Sequence, residues 1–241
     1  GQNSVLALDG VSLDVRPNEF TVIVGPSGCG KSSLLYLVAG LTEASAGEIM
    51  VDGKTVDGPG PDRGMVFQAY TLFPWLSVRH NVEYGLKRRG IAAGERRREA
   101  ERYLDEIGLR DFADHFPSQL SGGMMQRVAI ARALANDPVI LLMDEPFGAL
   151  DSQTRHTMQK LLLRVWQHSQ KTVAFVTHDI DEAILLGDRV LVMTARPGRI
   201  KAELPIDLAR PRDPAIALEP QFIALKRRIM ELLRDEIDEE R

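Results

Sequence analysis

This chain has almost no cysteine: Cys29 stands alone among 241 residues. No intrachain disulfide can form, and a reducing compartment is the simplest setting. There is no apolar run near the ~20 residues that a membrane-spanning helix needs. The longest, such as Val139–Met143, have only strand length. Low-complexity tracts, zinc-site spacings and internal repeats are missing too. No secretory segment opens the chain at Gly1-Gln2-Asn3, so the protein reads as soluble and any membrane role must come through a partner. Neither sign of charge is in excess: 30 Lys and Arg against 34 Asp and Glu leave a net −4. That balance argues against a protein that lives on nucleic acid by electrostatics. The local basic stretches Lys87-Arg88-Arg89 and Arg96-Arg97-Arg98 read as solvated helix faces. The length suits one large α/β domain, or a core with a subdomain.

What the chain does have is Gly25-Pro26-Ser27-Gly28-Cys29-Gly30-Lys31-Ser32, which fits the phosphate-binding pattern of a glycine, four free positions and Gly-Lys-Ser. The apolar run Phe20–Val24 predicts a buried strand before it, and Ser33–Ala39 a helix after it. A strand running through a Gly-rich turn into a helix aims several backbone N–H groups at one point, where the helix dipole also favours negative charge. Lys31 would reach the β- and γ-phosphates of ATP or GTP, and the Ser32 hydroxyl would ligate Mg²⁺. Cys29 reads as a small side chain tolerated in a loop that works through its backbone.

Alternation over Val5–Leu8 and at Val11, Leu13 and Val15 predicts half-buried strands. Ile49–Val51, Asp52-Gly53 and Lys54–Val56 predict a hairpin with a favoured two-residue turn. The first third therefore mixes a hairpin-rich antiparallel sheet with the phosphate-loop unit. Gly64–Phe67 reads as a strand ending at Gln68. Leu72-Phe73-Pro74-Trp75-Leu76, unusually apolar for a loop, is either core or a surface patch that docks a partner. Residues Ala92–Gly108 read as a helix with Ala100, Tyr103, Leu104 and Ile107 as its stripe. Ser121-Gly122-Gly123 precede another helix, with Met125, Val128, Ala129, Arg132 and Ala133 as its periodic face, and form a second anion site in principle.

Val139–Met143 reads as a buried strand ending in Asp144-Glu145. Two adjacent acids at a strand's carboxyl end need a cationic partner. A nucleotide-bound Mg²⁺ would be one, with Asp144 orienting it directly or through water and Glu145 polarising the attacking water. Asp151 or Ser152 caps the next helix. Thr172–Val176 is a strand followed directly by His178, and Asp179 caps the short helix Ile180–Leu186. After the strand Val190–Met193, Pro197-Gly198 turns the chain into a last extended piece. Pro220 opens a terminal helix striped by Phe222, Leu225, Ile229 and Leu232, whose acidic end, Asp235–Arg241, is expected to fray.

These pieces, in this order, resemble the nucleotide-binding subunit of an ATP-binding cassette (ABC) transporter over essentially the whole chain. The phosphate loop is followed by Gln68, then by Leu120-Ser121-Gly122-Gly123-Met124, which looks like the family's signature sequence. Asp144-Glu145-Pro146 follow, then Gly148-Ala149-Leu150-Asp151, called the D-loop, and the switch histidine, His178. The resemblance implies an α/β fold: a P-loop NTPase core with an antiparallel β subdomain and a helical subdomain. It implies one ATPase domain over 1–241, divided into 1–67 (antiparallel β and phosphate loop), about 70–135 (helical), 136–205 (rest of the core) and 206–241 (extension with an amphipathic helix).

The resemblance also implies an ATPase that works as two cassettes, head to tail. ATP would lie between Gly25, Pro26, Ser27, Gly28, Cys29, Gly30, Lys31, Ser32 and Ser33 of one subunit and Ser121, Gly122 and Gly123 of the other. Ser32, Gln68 and Asp144 would hold Mg²⁺; Glu145, His178 and Gln68 would carry hydrolysis; Asp151 would communicate across the dimer. An integral membrane permease would dock near Leu72, Phe73 and Trp75, with a periplasmic solute-binding protein beyond it and the subunit peripheral on the cytoplasmic face of the bacterial inner membrane. A narrower likeness, to bacterial importers of the nitrate, sulfonate and taurine group, lies in Gly58–Gly64, Leu72–Trp75, Pro146–Asp151, Arg196-Pro197-Gly198-Arg199 and Glu219–Ala224. The chain departs from the family pattern twice. No aromatic residue precedes Phe20 to stack adenine, which puts that residue upstream of Gly1, and Met125 stands where glutamine is common. Soluble family members that act on DNA or ribosomes are the alternative, but they carry coiled coils, zinc sites or a second cassette, which this chain lacks. A regulatory module that binds nucleotide without hydrolysing it is disfavoured by Glu145 and His178.

Overall fold

A computed structural model of the chain describes residues 5–238. At its centre lies β1 (Phe20–Val24), five residues buried on both faces, as an apolar run in a covered parallel sheet should be. The six-stranded sheet has the order β4 (Arg63–Val66), β5 (Ile140–Asp144), β6 (Thr172–Val176), β1, β7 (Arg189–Met193), β8 (Ile200–Pro205). All neighbours run parallel except β8, which closes the β7 edge antiparallel. The registers Ile23↔Val176, Asp144↔Val176 and Val66↔Met143 align the carboxyl ends of β1, β4, β5 and β6. Whatever follows those four strands therefore shares one edge of the sheet, where open α/β sheets place ligands.

One face of the sheet is covered by α1 (Lys31–Val38), by Leu8, Val11, Leu13 and Val15, and by Val51 of the hairpin β2 (Met50–Val51) and β3 (Lys54–Thr55). The other carries α4 (Gly122–Ala135), α5 (Ser152–Ser169), α6 (Ile180–Leu186) and α7 (Pro220–Asp238), with α2 (Val78–Arg88) and α3 (Ala93–Glu106) stacked outside α4. The rings of Phe20 and Trp166 meet edge to face at 5.7 Å, locking β1 to α5. Truncating a buried ring of this kind to alanine typically costs about 3–5 kcal/mol.

Four expectations need correction. Residues 5–15 half-bury Leu8, Val11, Leu13 and Val15 and leave Val5 and Leu6 exposed, but form no strand; among the described residues their only ladder contact is the bridge Leu8↔Gly198. The antiparallel part, among the described residues, shrinks to the hairpin, whose Asp52 and Gly53 turn at φ 51° and 70°. Third, α2 has no counterpart among the expected helices. Its signal is present, because Ser77 caps it and Val78, Val82 and Leu86 recur at helical spacing. The neighbouring aromatic loop masks it. In α4 the expected single stripe is instead burial on nearly every side, and Arg132 points away from the core. The other helices and strands match their expected positions to within two residues, with Asp151, not Ser152, capping α5. Residues 239–241 of the acidic end lie outside the described residues.

The C-terminal segment is tied down by charge as well as by Phe222 and Ile229. Lys226 pairs with Asp181 of α6. Arg212 is buried among the carbonyls of Ile184, Ile206 and Leu208, and burial pushes its guanidinium down to about 10. On the α5-facing side of α6, Glu182 is 4% exposed and accepts a hydrogen bond from Gln159 at 2.9 Å. Burial drives its carboxyl above the usual carboxylate range, against the opposing bonds from Thr177 and Gln159. A carboxyl raised in the fold stabilises it while protonated, and that contribution is lost as pH rises through the raised value. Glu182→Gln should therefore gain on wild type in melting temperature as buffers move from acidic to neutral. Parallel melting curves for the two proteins across that range would contradict it.

Candidate active site

The loop from β1 into α1 leaves the helix start open. Leu34 is the first helical residue whose N–H finds a carbonyl, that of Gly30; among the described residues those of Lys31, Ser32 and Ser33 find no acceptor. Gly30 sits at φ +105°, where a Cβ would also press within 2.7 Å of Leu8. Lys31 is buried and donates to the carbonyls of Gly25 and Pro26, both at 2.9 Å. Its ammonium is pinned by neutral oxygens, and no carboxylate pairs with it among the described residues. The loop borders a cavity of about 310 Å³, lined by Ala7, Ser27, Gly28, Gly30, Lys31, Ser32, Ser33, Glu145 and Arg196. Free N–H groups, a cation and an open cavity fit a polyphosphate. Cys29 is buried, and burial outweighs Lys31 and the loop N–H groups to push its thiol up. That rules out a ready thiolate nucleophile.

Asp144, at the end of β5, is 4% exposed. Its carboxylate accepts from Ser32 Oγ at 2.8 Å and from Tyr36 Oη at 3.1 Å, and no cation pairs with it among the described residues. Burial, then the Asp144 carboxylate, holds the Tyr36 hydroxyl above its ordinary value, so it stays a donor. A buried carboxylate with hydroxyl partners only, beside a serine hydroxyl and facing a phosphate cavity, is a donor set that fits a hard divalent cation.

Glu145 follows at φ +42°, its N–H held by the Val176 carbonyl at 3.0 Å. That left-handed turn is strained for a glutamate. It brings Oε2 to within 2.9 Å of His178 Nδ1, which must donate because a carboxylate only accepts. A Cβ on Gly148 would stand 3.5 Å from Gln68 Nε2 and 3.6 Å from Glu145 Oε2, so the side chains of Gln68 and Glu145 converge there. Gln68, Asp144, Glu145, His178 and the phosphate loop thus share the predicted edge.

Ser121, Gly122 and Gly123 do not line that cavity. Ser121 caps α4, its Oγ accepting from Met124 N–H at 3.3 Å, while the N–H groups of Gly122 and Gly123 find no acceptor among the described residues. Asp151 is occupied as a cap by Gln153 and Thr154, and those bonds, Thr154 first, hold its carboxyl below the usual range. In the apolar loop, Phe73 packs on Tyr84 at 4.4 Å and on Trp75 at 5.6 Å, Leu72 leans on the core, and Trp75 is 71% exposed. Buried Asn81 clamps this loop, bonding the N–H of Phe73 and the carbonyls of Phe73, Leu76 and Ser77.

Reasoning from the sequence missed four residues here: Tyr36, Arg132, Arg155 and Arg196. Arg132 reaches from α4 to the Thr71 carbonyl at 2.7 Å, gripping the loop after Gln68. Arg155 ties the Leu150 carbonyl to Asp179, next to His178. Nothing in local pattern marks their roles; only Arg196 lies in a stretch, the Arg-Pro-Gly-Arg turn, that the sequence singles out.

Comparison with known proteins places this geometry. Residues 8–148 match the family model described as ABC transporter. The nitrate import ATP-binding protein of Synechocystis sp. is 49% identical over 245 residues, covering 99% of this chain and 92% of that protein. The taurine import ATP-binding protein of Rhizobium johnstonii is 50% identical over 240 residues, covering 98% and 92%. Among solved structures, a dimeric ATP-binding cassette in a post-hydrolysis state bound to ADP and Pi superposes with a TM-score of 0.76 at 37% identity, covering 87% of this chain and 94% of that one. The six-stranded sheet is thus that of a cassette with a P-loop NTPase core.

The open helix start depends on Gly30. Gly30→Ala should cost about 1–3 kcal/mol in urea unfolding, the usual strain of such a backbone on a residue with a side chain, and should weaken nucleotide binding. Unchanged unfolding midpoint and slope would sink this account of the loop.

Proposed function

The chain belongs to the ABC transporter family and is an ATP-binding cassette that hydrolyses ATP, and from that premise we propose that it is the motor subunit of an importer. One observation carries the reading. The phosphate cavity contains Lys31 and Glu145, with Glu145 touching His178, whereas the free N–H groups of Gly122 and Gly123 lie outside it. One copy therefore holds two halves of different sites. A second copy, turned head to tail, completes each half with its own Ser121–Gly123.

Within one site, the N–H groups of Lys31, Ser32 and Ser33 and the Lys31 ammonium hold the phosphates of ATP. Ser32, Asp144 and Gln68 are the residues that would hold Mg²⁺, which when bound neutralises phosphate charge. Glu145 orients a water against the terminal phosphorus and takes its proton as the bond to the leaving phosphate breaks, giving ADP and inorganic phosphate. His178 fixes the Glu145 carboxylate through Nδ1 and faces the same edge. Asp151, the N-cap of α5, signals between subunits. Binding energy drives closure because ATP bridges both copies only in the closed dimer.

Among the described residues no helix is long and apolar enough to cross a membrane, so the pore belongs to a separate membrane permease. Trp75, exposed on a loop that Asn81 stiffens and Arg132 links to α4, is its docking point. The subunit then lies on the cytoplasmic face of the inner membrane, and a solute-binding protein outside delivers cargo. The nitrate and taurine import relatives support a small oxyanion as that cargo. A soluble role on DNA or ribosomes has no feature of this chain in its favour.

Glu145→Gln should keep ATP affinity within about twofold while lowering phosphate release by at least about 100-fold, the scale of a lost general base, and should trap a dimer on a sizing column. Turnover near wild type would remove Glu145 as the base. Ser121→Arg and Lys31→Ala should each abolish hydrolysis alone. Mixed together, half of randomly paired dimers are hybrids with one intact site of two, restoring roughly a quarter of the sites. Mixtures as dead as the parents would refute the shared site.

A further inference from the structure

Among the described residues, Arg196 is the one cation lining the phosphate cavity that the proposed chemistry does not use. It lies on the turn between β7 and β8, and its guanidinium donates from Nε and Nη2 to the Gly28 carbonyl at 3.2 and 3.0 Å. No carboxylate pairs with it among the described residues. Its neighbours behave otherwise: Arg199 on the same turn pairs with Asp9, Arg189 with Glu19 and Glu203, and Arg210 with Asp188. Arg196 shares the habit of Lys31, a cation held on loop carbonyls with no anion of its own. A guanidinium has five N–H donors in a rigid fork; two face Gly28, which leaves three without an acceptor among the described residues on a side chain that lines the cavity beside the loop.

The turn that carries Arg196 is firmly set. Gly198 donates to the Ala7 carbonyl and accepts from Asp9 N–H, at 2.9 and 3.0 Å. A Cβ on Gly198 would fall 2.1 Å from the Cys29 carbonyl, so the turn rests directly on the phosphate loop. Thr194 Oγ1 accepts from Arg199 N–H and donates to the Pro197 carbonyl. The last restraint is remote. Glu236 of α7 is 6% exposed, accepts from the Ala195 N–H at 2.9 Å and pairs with Lys201 at 2.6 Å. A buried carboxylate from the C-terminal helix thus holds the N–H of Ala195, the residue immediately before Arg196.

We propose that Arg196 is a further nucleotide-binding residue, a second cation that binds the phosphates of a nucleoside di- or triphosphate beside Lys31, and that Glu236 is the residue that positions it. The proposal rests on reading this cavity as the ATP site. It also explains what α7 does for the site. The terminal helix sets nucleotide affinity through one hydrogen bond to Ala195, without touching the nucleotide. Anything that draws α7 off the core weakens the grip on ATP from behind.

The test is calorimetric titration of the full chain with ATP and with ADP, at two ionic strengths. Arg196→Ala should raise Kd for both about tenfold, as loss of a charged hydrogen bond does, and should flatten the salt dependence. Arg196→Lys should recover part of the affinity, and Arg196→Gln none. Glu236→Ala should raise Kd less than Arg196→Ala, and should add nothing when Arg196 is already alanine, because it acts through that residue. Kd values for Arg196→Ala and Arg196→Gln within about twofold of wild type, with Lys31→Ala clearly weakened, would overturn the proposal and leave the ATP site standing. Additive effects of Glu236→Ala and Arg196→Ala would overturn the positioning role. A wild-type chain with no affinity for ATP, or one indifferent to Lys31→Ala, would overturn the ATP-site reading itself.

Discussion

A carboxylate that is buried without a cation is the constraint around which this molecule is arranged. Asp144 closes a five-residue strand that is buried throughout, and only the hydroxyls of Ser32 and Tyr36 answer its charge. Unpaired burial of that kind is costly unless a positive ligand arrives. The parallel sheet cannot move Asp144 outward, because its registers with β4 and β6 are fixed by four and five residue pairs. On the function proposed here the cost is carried by the ligand-free molecule and recovered when a cation binds. Glu145, turned left-handed beside it, adds backbone strain to the same edge. The site is poised because its resting state is uncomfortable.

Elsewhere in the molecule, four arginines hold irregular segments by their carbonyls, and of these Arg155 alone also meets an acid among the described residues, Asp179. Arg132 grips Thr71, Arg155 grips Leu150, Arg196 grips Gly28 and Arg212 grips the end of α6. A guanidinium fork can hold irregular backbone that has no ladder to satisfy it. Such grips let a loop stay ordered without being built into the sheet. Arg132 also links the helix that Ser121 caps to the loop carrying Trp75.

How much of this is legible in the sequence depends on whether the information is local. The Gly25–Ser32 loop, the Asp144-Glu145 strand end, His178 and the helix stripes other than that of α4 announce themselves through spacing, and they fall where spacing places them. Residues 5–15 mislead because alternation reports burial on one side, which a coil packed on α1 satisfies as well as a strand does. The helix Val78–Arg88 escapes because an aromatic loop precedes it and Asn81, its most buried polar residue, serves that loop. The arginine grips are invisible for a different reason: each spans from 5 to 168 residues to a backbone carbonyl, and a carbonyl has no residue type to recognise. Membership of a dimer is suggested by family order alone, and the placement of Ser121–Gly123 outside the cavity gives it a physical motive.

The sheet order has a temporal consequence. Strand β1 lies between β6 and β7, so Phe20 finds its first sheet partner in Val173, about 150 residues later in the chain. At a synthesis rate of roughly 5–20 residues per second, β1 waits on the order of ten to thirty seconds with both edges unpaired. The phosphate loop that hangs from it cannot be held in shape during that time. Nucleotide can therefore reward the finished domain but cannot template it. The nascent chain must instead keep Phe-Thr-Val-Ile-Val from pairing with other chains until its own last third has emerged.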